Sequence, residues 1–524
     1  MITRTDRARR KATAVEPDLP ANAKRQEGQE RQESQEWQGQ PEPHSRPESQ
    51  GEPEPRGARG RQGVQLLALA LGFVMATLDV TIINVAGPRL RTGLDLSLSG
   101  LTWVVDGYVL VFASLLLLAG SLAGRFGARR VYLTGLGLFT AASLVCAVAP
   151  VAAVLVAGRL AQGAGAALFM PSSLTLLMNA FPGGPQRARV LGVWSAIVST
   201  AAGVGPAVGG LLVGGLGWRS IFLINLPVGL AALVLARRYV APLPGRAVPL
   251  GAGGHALGLV ALAALAYGLI QGPETGWDAA PVLAAFAVAL LAGAAFAVRE
   301  RAPGTTARVL PGELFANAHF STANAVGFLF NLGCYGGMFM LGLFLQNARG
   351  ASPLEAGLQL LPTQMVFLLG NILYARLGHR VGNRAALAGA LLYSAAGTLA
   401  LALVLSPDLP YWVLAVVLGA FNTGLGVASP AMTGALMDAA GREHANIASA
   451  TLNANRQIGT LVGIAVMGAV LAGAGGWYAG AAASFALTGG SYAAAALLAW
   501  FGLRPPRPER AVHTSGPAAR TLPG

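Results

Sequence analysis

The sequence predicts an all-α polytopic membrane protein with about fourteen transmembrane helices. Three observations predict it. Of 524 residues, 54% are hydrophobic and 11% charged, where a soluble chain carries about 25% charged residues. Mean hydropathy is +0.54. The apolar residues gather in runs, many of them near the roughly 20 residues a helix needs to cross hydrocarbon. Backbone groups in lipid are satisfied only within their own segment, so each run reads as a helix.

Residues 1–62 are polar and rich in Arg, Gln, Glu and Pro. They lack the apolar mass to fold and read as a disordered cytoplasmic tail. No apolar h-region is present, so this is not a secretory signal peptide. The spans follow at 65–87, 102–123, 130–150, 152–178, 188–214, 217–236, 255–272, 281–298, 320–346, 354–375, 383–405, 411–437, 447–473 and 478–502. Loops are mostly short, so neighbours run antiparallel. Residues 504–524 form a second polar tail.

The net charge of +14 does not point to nucleic acid, because the basic residues are not gathered on one polar domain. They sit in alternate loops. With the first tail inside, the inner loops carry Arg125, Arg129 and Arg130, Arg187 and Arg189, Arg237, Arg238 and Arg246, Arg299, Arg301 and Arg308, Arg376, Arg380 and Arg384, and Arg442. The outer loops carry Arg89, Arg91, Arg219 and Arg349. That asymmetry sets the orientation, with both termini cytoplasmic. The two cysteines, Cys146 and Cys334, lie inside apolar runs and read as small buried residues.

The stretch Ala201 to Gly229 is unusually rich in glycine. Gly203, Gly205, Gly209 and Gly210 let one helix backbone approach another. Pro206 removes a donor and bends the helix. An internal echo runs through the chain. Arg125, Gly127 and Arg129 after span 2 align with Arg380, Gly382 and Arg384 after span 10. Gly163 and Gly165, followed by Pro171, resemble Gly424 and Gly426, followed by Pro430. Two six-helix halves, 63–236 and 316–503, with a linker at 237–315 that carries two inserted helices, produce this pattern. Such repeats build transporters that hold cargo between halves.

Five segments together resemble a known family. LDVTIINVAGP (Leu78–Pro88), GSLAGRFGARR (Gly120–Arg130), LVAGRLAQGAGAA (Leu155–Ala167), GVGPAVGG (Gly203–Gly210) and WRSIFLINLPVG (Trp218–Gly229) fall in order on spans 1, 2, 4, 5 and 6. The chain resembles the major facilitator superfamily, in its fourteen-span drug:proton antiporter family, from about Gln65 to Leu503. The resemblance implies a major facilitator fold and export of amphipathic drugs or antibiotics in exchange for protons. It departs from the family pattern at Gly124, where the loop signature usually has aspartate, and at Ala201, which replaces a glycine. Loss of that aspartate puts a charged latch between the halves in doubt.

Ionisable groups inside a membrane are costly and point to function. Asp79 lies about 21 Å into span 1 from inside and Arg159 about 10–12 Å into span 4 from outside, so the two share a depth. Asp106 enters span 2 at a shallower level. These three are the proton-coupling candidates, with Arg159 the cation that tunes the acids. The competing reading is a static ion pair. Arg456 is a second buried cation. Asn84, Gln162, Asn331, Tyr335, Asn422 and Arg456 are candidates for lining a cargo cavity. Arg125, Gly127, Arg129, Gly203, Gly205, Pro206, Gly209 and Gly210 are candidates for gating or helix packing. Asp438, in the loop after span 12, and Glu274, in the outer loop between spans 7 and 8, read as solvated.

No Walker GxxxxGK[ST] appears, so ATP is not the energy source within this chain. No HExxH, DxxD pair or histidine cluster supports an enzyme, and no pore repeat supports a channel. No catalytic residue, metal or cofactor is expected, and the proton gradient supplies the energy. The expected partners are a small amphipathic substrate, protons and the lipid of a bacterial plasma membrane, with no nucleic acid; a monomer is plausible and the sequence leaves the oligomeric state open. A narrow exporter of an endogenous or secondary metabolite is the alternative.

Overall fold

The computed structural model describes residues 56–181, 184–245, 250–302, 308–309, 312–441 and 445–503. The expected tails fall almost wholly outside them, as do Arg246 and Arg442. Gly60–Gly524 form one compact unit. Among the described residues all regular structure is helical. The first set of helices is α1 (Arg56–Leu94), α2 (Leu98–Phe126), α3 (Ala128–Ala147), α4 (Ala152–Ala180), α5 (Gly184–Leu216), α6 (Ser220–Leu223) and α7 (Asn225–Tyr239). The inserted pair is α8 (Ala252–Thr275) and α9 (Ala280–Arg301). After the short α10 (Gly312–Ala316) come α11 (Ala318–Asn347), α12 (Pro353–Val381), α13 (Asn383–Val404), α14 (Tyr411–Ala440), α15 (Ala445–Gly473) and α16 (Trp477–Gly502).

Among the described residues, thirteen helical segments are long and apolar enough to cross a membrane, with α6 and α7 counted as one. The fifth expected span falls on α5, where the apolar stretch Thr200–Leu216 is shorter. The helices outrun the apolar runs because their ends are capped beyond them. Ser97 Oγ accepts from Gly100 N at 3.0 Å at the start of α2. Ser352 and Glu355 form a reciprocal capping box on α12. Asp438, expected in a loop, lies in the last turn of α14 and accepts from Asn383 Nδ2 at 2.6 Å.

Two sets of helices repeat the same packing. In the first, α4 packs on α2 and α3, and α3 on α7; in the second, α14 packs on α12 and α13, and α13 on α16. Across the sets, α5 packs on α12 and α15 on α2, each the fifth helix of one half against the second of the other. This is the two-halves arrangement that the echo predicted. Within the first half, edge-to-face contacts run from Tyr108 through Phe139 and Phe169 to Tyr132, tying α2, α3 and α4. The inserted helices α8 and α9 pack on each other, and α8 also packs on α2 and α15.

Proximal denotes the end of the bundle where α1 begins and α16 ends, distal the opposite end. Glycines at the contacts between the two halves lie in the distal half of the spans. Gly87 meets Leu343, Gly342 meets Asn84, Gly210 meets Pro353 and Leu354, Gly357 meets Pro206, and Gly468 meets Thr102. Gln346 Nε2 adds a hydrogen bond to Val85 O at 3.0 Å. The distal end is therefore closed.

Candidate functional site

Asp79 and Arg159 meet as the depth argument requires. The Arg159 Nη1 to Asp79 Oδ2 ion pair joins α4 to α1, and the two residues are 1% and 5% exposed. A charge this deep needs every lone pair and proton occupied. Arg159 Nε donates to Val104 O at 2.8 Å and Nη1 to Gln162 Oε1 at 3.0 Å. Its guanidinium also lies 4.6 Å from the centre of the Tyr108 ring. Asp79 Oδ1 accepts from Gln162 Nε2 at 3.3 Å and from Asn225 Nδ2 at 3.2 Å. Gln162 Nε2 reaches Ser143 Oγ at 2.8 Å, and Cys146 Sγ reaches Gln162 Oε1 at 3.4 Å. Five helices of the first half thus converge on one carboxylate and one guanidinium. Asn225 and Ser143 complete the network. Asn225 stood within the span 6 motif, but nothing in the sequence marked Ser143.

Asp106 stands apart. It is fully buried, and neither carboxyl oxygen has a hydrogen-bond partner. Its position on α2 explains this. Thr102, one turn away on the same face, meets Gly468 of α15, and Ala113, two turns further, shares a cavity wall with Ala454 of α15. By helix periodicity the acid therefore lies on the face of α2 turned toward α15, where the two halves join.

A central cavity of about 210 Å³ lies near the middle of the spans. Of the six cavity candidates, Tyr335 and Asn422 line it. Gln364, Asn371, Thr363 and Thr488 add polar groups, and among the described residues no charged residue lines it. Gln162 is spent on the ion pair. Asn84 is buried where α1 meets α11, with Nδ2 on Val80 O at 3.0 Å. Asn331 is buried where α11 meets α15, with Nδ2 on Gly327 O at 2.7 Å. Arg456 is half-buried outside the lining. Gln364 and Asn371 stood among the polar groups within the spans, but helix spacing alone does not say which face of α12 turns inward.

The glycine-rich stretch divides its labour. Gly203 lines the cavity with nothing near it. Gly205 and Gly209 let α5 lie on Thr81 and Ile82 of α1. Gly210 and the Pro206 carbonyl meet α12. At the proximal end Gly127 has φ +91° and sits under the Leu243 carbonyl. Arg129 Nη2 donates to Arg237 O in the last turn of α7. The echo holds in three dimensions: Gly382 has φ +80°, and Arg384 Nε donates to Trp500 O at 2.9 Å in the last turn of α16. Arg125 is exposed and lies against the Phe126 ring at 5.7 Å. Glu274, expected to be solvated, is exposed and takes hydrogen bonds from Ser97 and Ser99, tying α8 to the start of α2.

Residues 69–464 match the sequence profile of the Major Facilitator Superfamily. The chain belongs to that superfamily. It is a multi-pass membrane transporter, not an enzyme, and stands among drug-efflux members. It is 54% identical over 448 residues to a methylenomycin A resistance protein of Streptomyces coelicolor, covering 86% of this chain and 93% of the relative. A protein of the same name from Bacillus subtilis is 50% identical, covering 84% and 94%. The multidrug resistance protein Stp of Mycobacterium tuberculosis is 36% identical, covering 78% and 76%. In fold the transporter is similar to the POT family transporter PepTSo, with a TM-score of 0.62 and 13% identity, covering 84% of this chain and 97% of that one.

The transporter also repeats its glycine pair, which the sequence reading missed. Gly459 and Gly463 of α15 lie on Phe328, Asn331 and Leu332 of α11. They do for the second half what Gly205 and Gly209 do for the first, four residues apart in both. The signal was present in NRQIGTLVG but is too short to separate from ordinary membrane glycine.

Proposed function

We propose that the transporter exports a small antibiotic of the methylenomycin kind from a bacterial cell in exchange for protons, with its termini in the cytoplasm. The observation that carries the coupling is Asp106, buried without a partner on the α2 face turned toward α15. A bare carboxylate there would cost several kcal/mol, so the uncharged acid is the form that the closed joint accepts. Opening the distal end separates α2 from α15, admits water and lets the acid exchange its proton. Asp79, paired with Arg159 across α1 and α4, is the second residue assigned to coupling.

The cargo reading rests on two supports. The relatives at 54% and 50% identity carry the name of a single antibiotic, while the multidrug relative stands at 36%. The central cavity is about 210 Å³, with amides and hydroxyls but no acid on its wall. Neither Asp79 nor Asp106 lines it, so it lacks the charge that would favour a cationic dye. Narrow specificity is the better-supported form of this reading.

The test is transport into inverted membrane vesicles. Uptake of methylenomycin A that follows an imposed proton gradient, stops with a protonophore and is lost in Asp106→Asn supports the whole proposal. Uptake that ignores the protonophore would remove proton coupling. Ethidium uptake without methylenomycin uptake would replace the narrow cargo with a multidrug one.

A further inference from the structure

Arg456 of α15 is a cation within the spans that the coupling network leaves unused. Among the described residues its guanidinium makes no hydrogen bond and no ion pair; only its main-chain oxygen is engaged, by the Thr460 hydroxyl at 2.9 Å. Asp79 and Asp106 do not serve it, because Asp79 is held by Arg159 and Asp106 makes no hydrogen bond. The side chain is half-buried, and none of its nitrogens is sealed from contact. A charge in a span is costly and is kept where it meets a partner or a water-filled space.

The periodicity of α15 says which way Arg456 faces. Thr451, Ala454, Asn455 and Ile458 face the side where α8 and α9 lie. Gly459 and Gly463 face α11, and Gly468 faces α2. At about 100° per residue, Arg456 falls between the α11 and α2 faces, on the side away from the inserted pair. Asn453 shares that side and is exposed. The repeat between the halves gives the same direction. Gly459 and Gly463 stand for Gly205 and Gly209, so Arg456 stands where the first half has Ala202, and Ala202 lines the central cavity. The level follows from helix rise. Gly459 meets Phe328 and Asn331, which puts Arg456 roughly 10–13 Å proximal to Gly333 and Tyr335 of the cavity wall. With the distal end closed, a guest reaches the cavity from the proximal side and passes this guanidinium.

We propose that Arg456 is a specificity-determining residue, and that the cargo it selects is an amphipathic monoanion bearing a carboxylate. The planar guanidinium offers two parallel N–H donors that match a carboxylate. The apolar body then extends distally toward Tyr335 and Phe367. Among the described residues no charge lines the cavity itself, so a second charge on the guest would be left unpaired there. An anion supplies the partner that Arg456 lacks; a cationic or neutral guest does not. The inference deepens the export reading, and rests on it only in calling the bound anion cargo.

The test is binding, with no gradient imposed. Full-length transporter in phosphatidylcholine nanodiscs is treated with phenylglyoxal, which modifies accessible arginines, and the modified positions are read by mass spectrometry. Arg456 should be modified and Arg159, 1% exposed, should not. Naphthoate should protect Arg456 but not the exposed Arg125, and naphthamide, similar in shape without the charge, should protect neither. In equilibrium dialysis Arg456→Gln should weaken naphthoate binding at least tenfold, the worth of a hydrogen bond to a charged group. Arg456→Lys, which keeps the charge without the fork, should fall between. The melting temperature of Arg456→Gln should match wild type, because the guanidinium holds nothing in the folded protein. No protection by naphthoate, or equal protection by naphthamide or by inorganic phosphate, overturns the proposal. Proton-driven uptake of methylenomycin A without naphthoate protection would overturn it and leave the export reading standing; naphthoate protection without that uptake would support the anion site and count against the export reading.

Discussion

Gly357 of α12 rests against the main-chain carbonyl of Pro206 on α5, and Gly210 of α5 returns the contact against Pro353 and Leu354. A Cβ at either glycine would overlap backbone of the opposite half. The contact holds the distal end shut only while both positions lack a side chain.

Gly357→Val should therefore prevent distal closure. Cys334 lines the central cavity and serves as the reporter, with Cys146 replaced by alanine. Labelling of Cys334 by an impermeant maleimide added from the distal side should rise at least severalfold, and transport should be lost. Gly214→Ala, an exposed position on α5 that meets open space, should leave both unchanged. Unchanged labelling in Gly357→Val would mean that α12 shifts to accommodate the side chain.

Breaking the buried pair should cost stability before anything else. Asp79→Asn leaves the Arg159 charge in a site with 1% exposure, and removing one partner of such a pair costs about 3–5 kcal/mol. The melting temperature in detergent should fall accordingly. The double change Asp79→Leu with Arg159→Met should recover most of that loss, since apolar residues of similar volume replace buried pairs well. Full stability without transport in the double variant assigns the pair to coupling; full transport would leave it a helix lock.

Asp106→Leu should behave in the opposite way. The acid makes no hydrogen bond, so an apolar replacement should leave stability within about 1 kcal/mol of wild type or raise it. Proton-driven uptake should still disappear. A large loss of stability would show that Asp106 has a partner in the folded protein.

The two loop glycines offer an internal control. Gly127 and Gly382 have similar positive φ, and an alanine at either costs about 1 kcal/mol or more from backbone strain. Gly127 also lies under the Leu243 carbonyl, whereas nothing lies near Gly382. Gly127→Ala should lower the melting temperature clearly more than Gly382→Ala. Equal losses would make the Leu243 contact irrelevant.

How far the site was legible in sequence differs from residue to residue. Asp79 and Arg159 could be paired because a helix rises a fixed 1.5 Å per residue, so sequence position converts to depth. Which way a side chain faces does not follow from depth. Gln162 and Asn84 therefore carried the same sequence signal as Asn422, yet only Asn422 reaches the central cavity. The paired glycines teach the same lesson. Gly163 meets α2 and Gly165 meets α3, while Gly424 meets α13 and Gly426 meets α12. The pairs repeat in use but not in order.

By itself the sequence determined that this chain spans a membrane with helices, doubles a six-helix unit and buries an acid and a cation at one depth. Hydropathy, helical rise and loop charge are local properties, and one dimension is enough to read them. Only the tertiary structure decided that Asp79 is closed within the first half and that Asp106 lies at the joint between halves. Those facts depend on helix rotation and on which helices meet, which are set by packing between segments hundreds of residues apart.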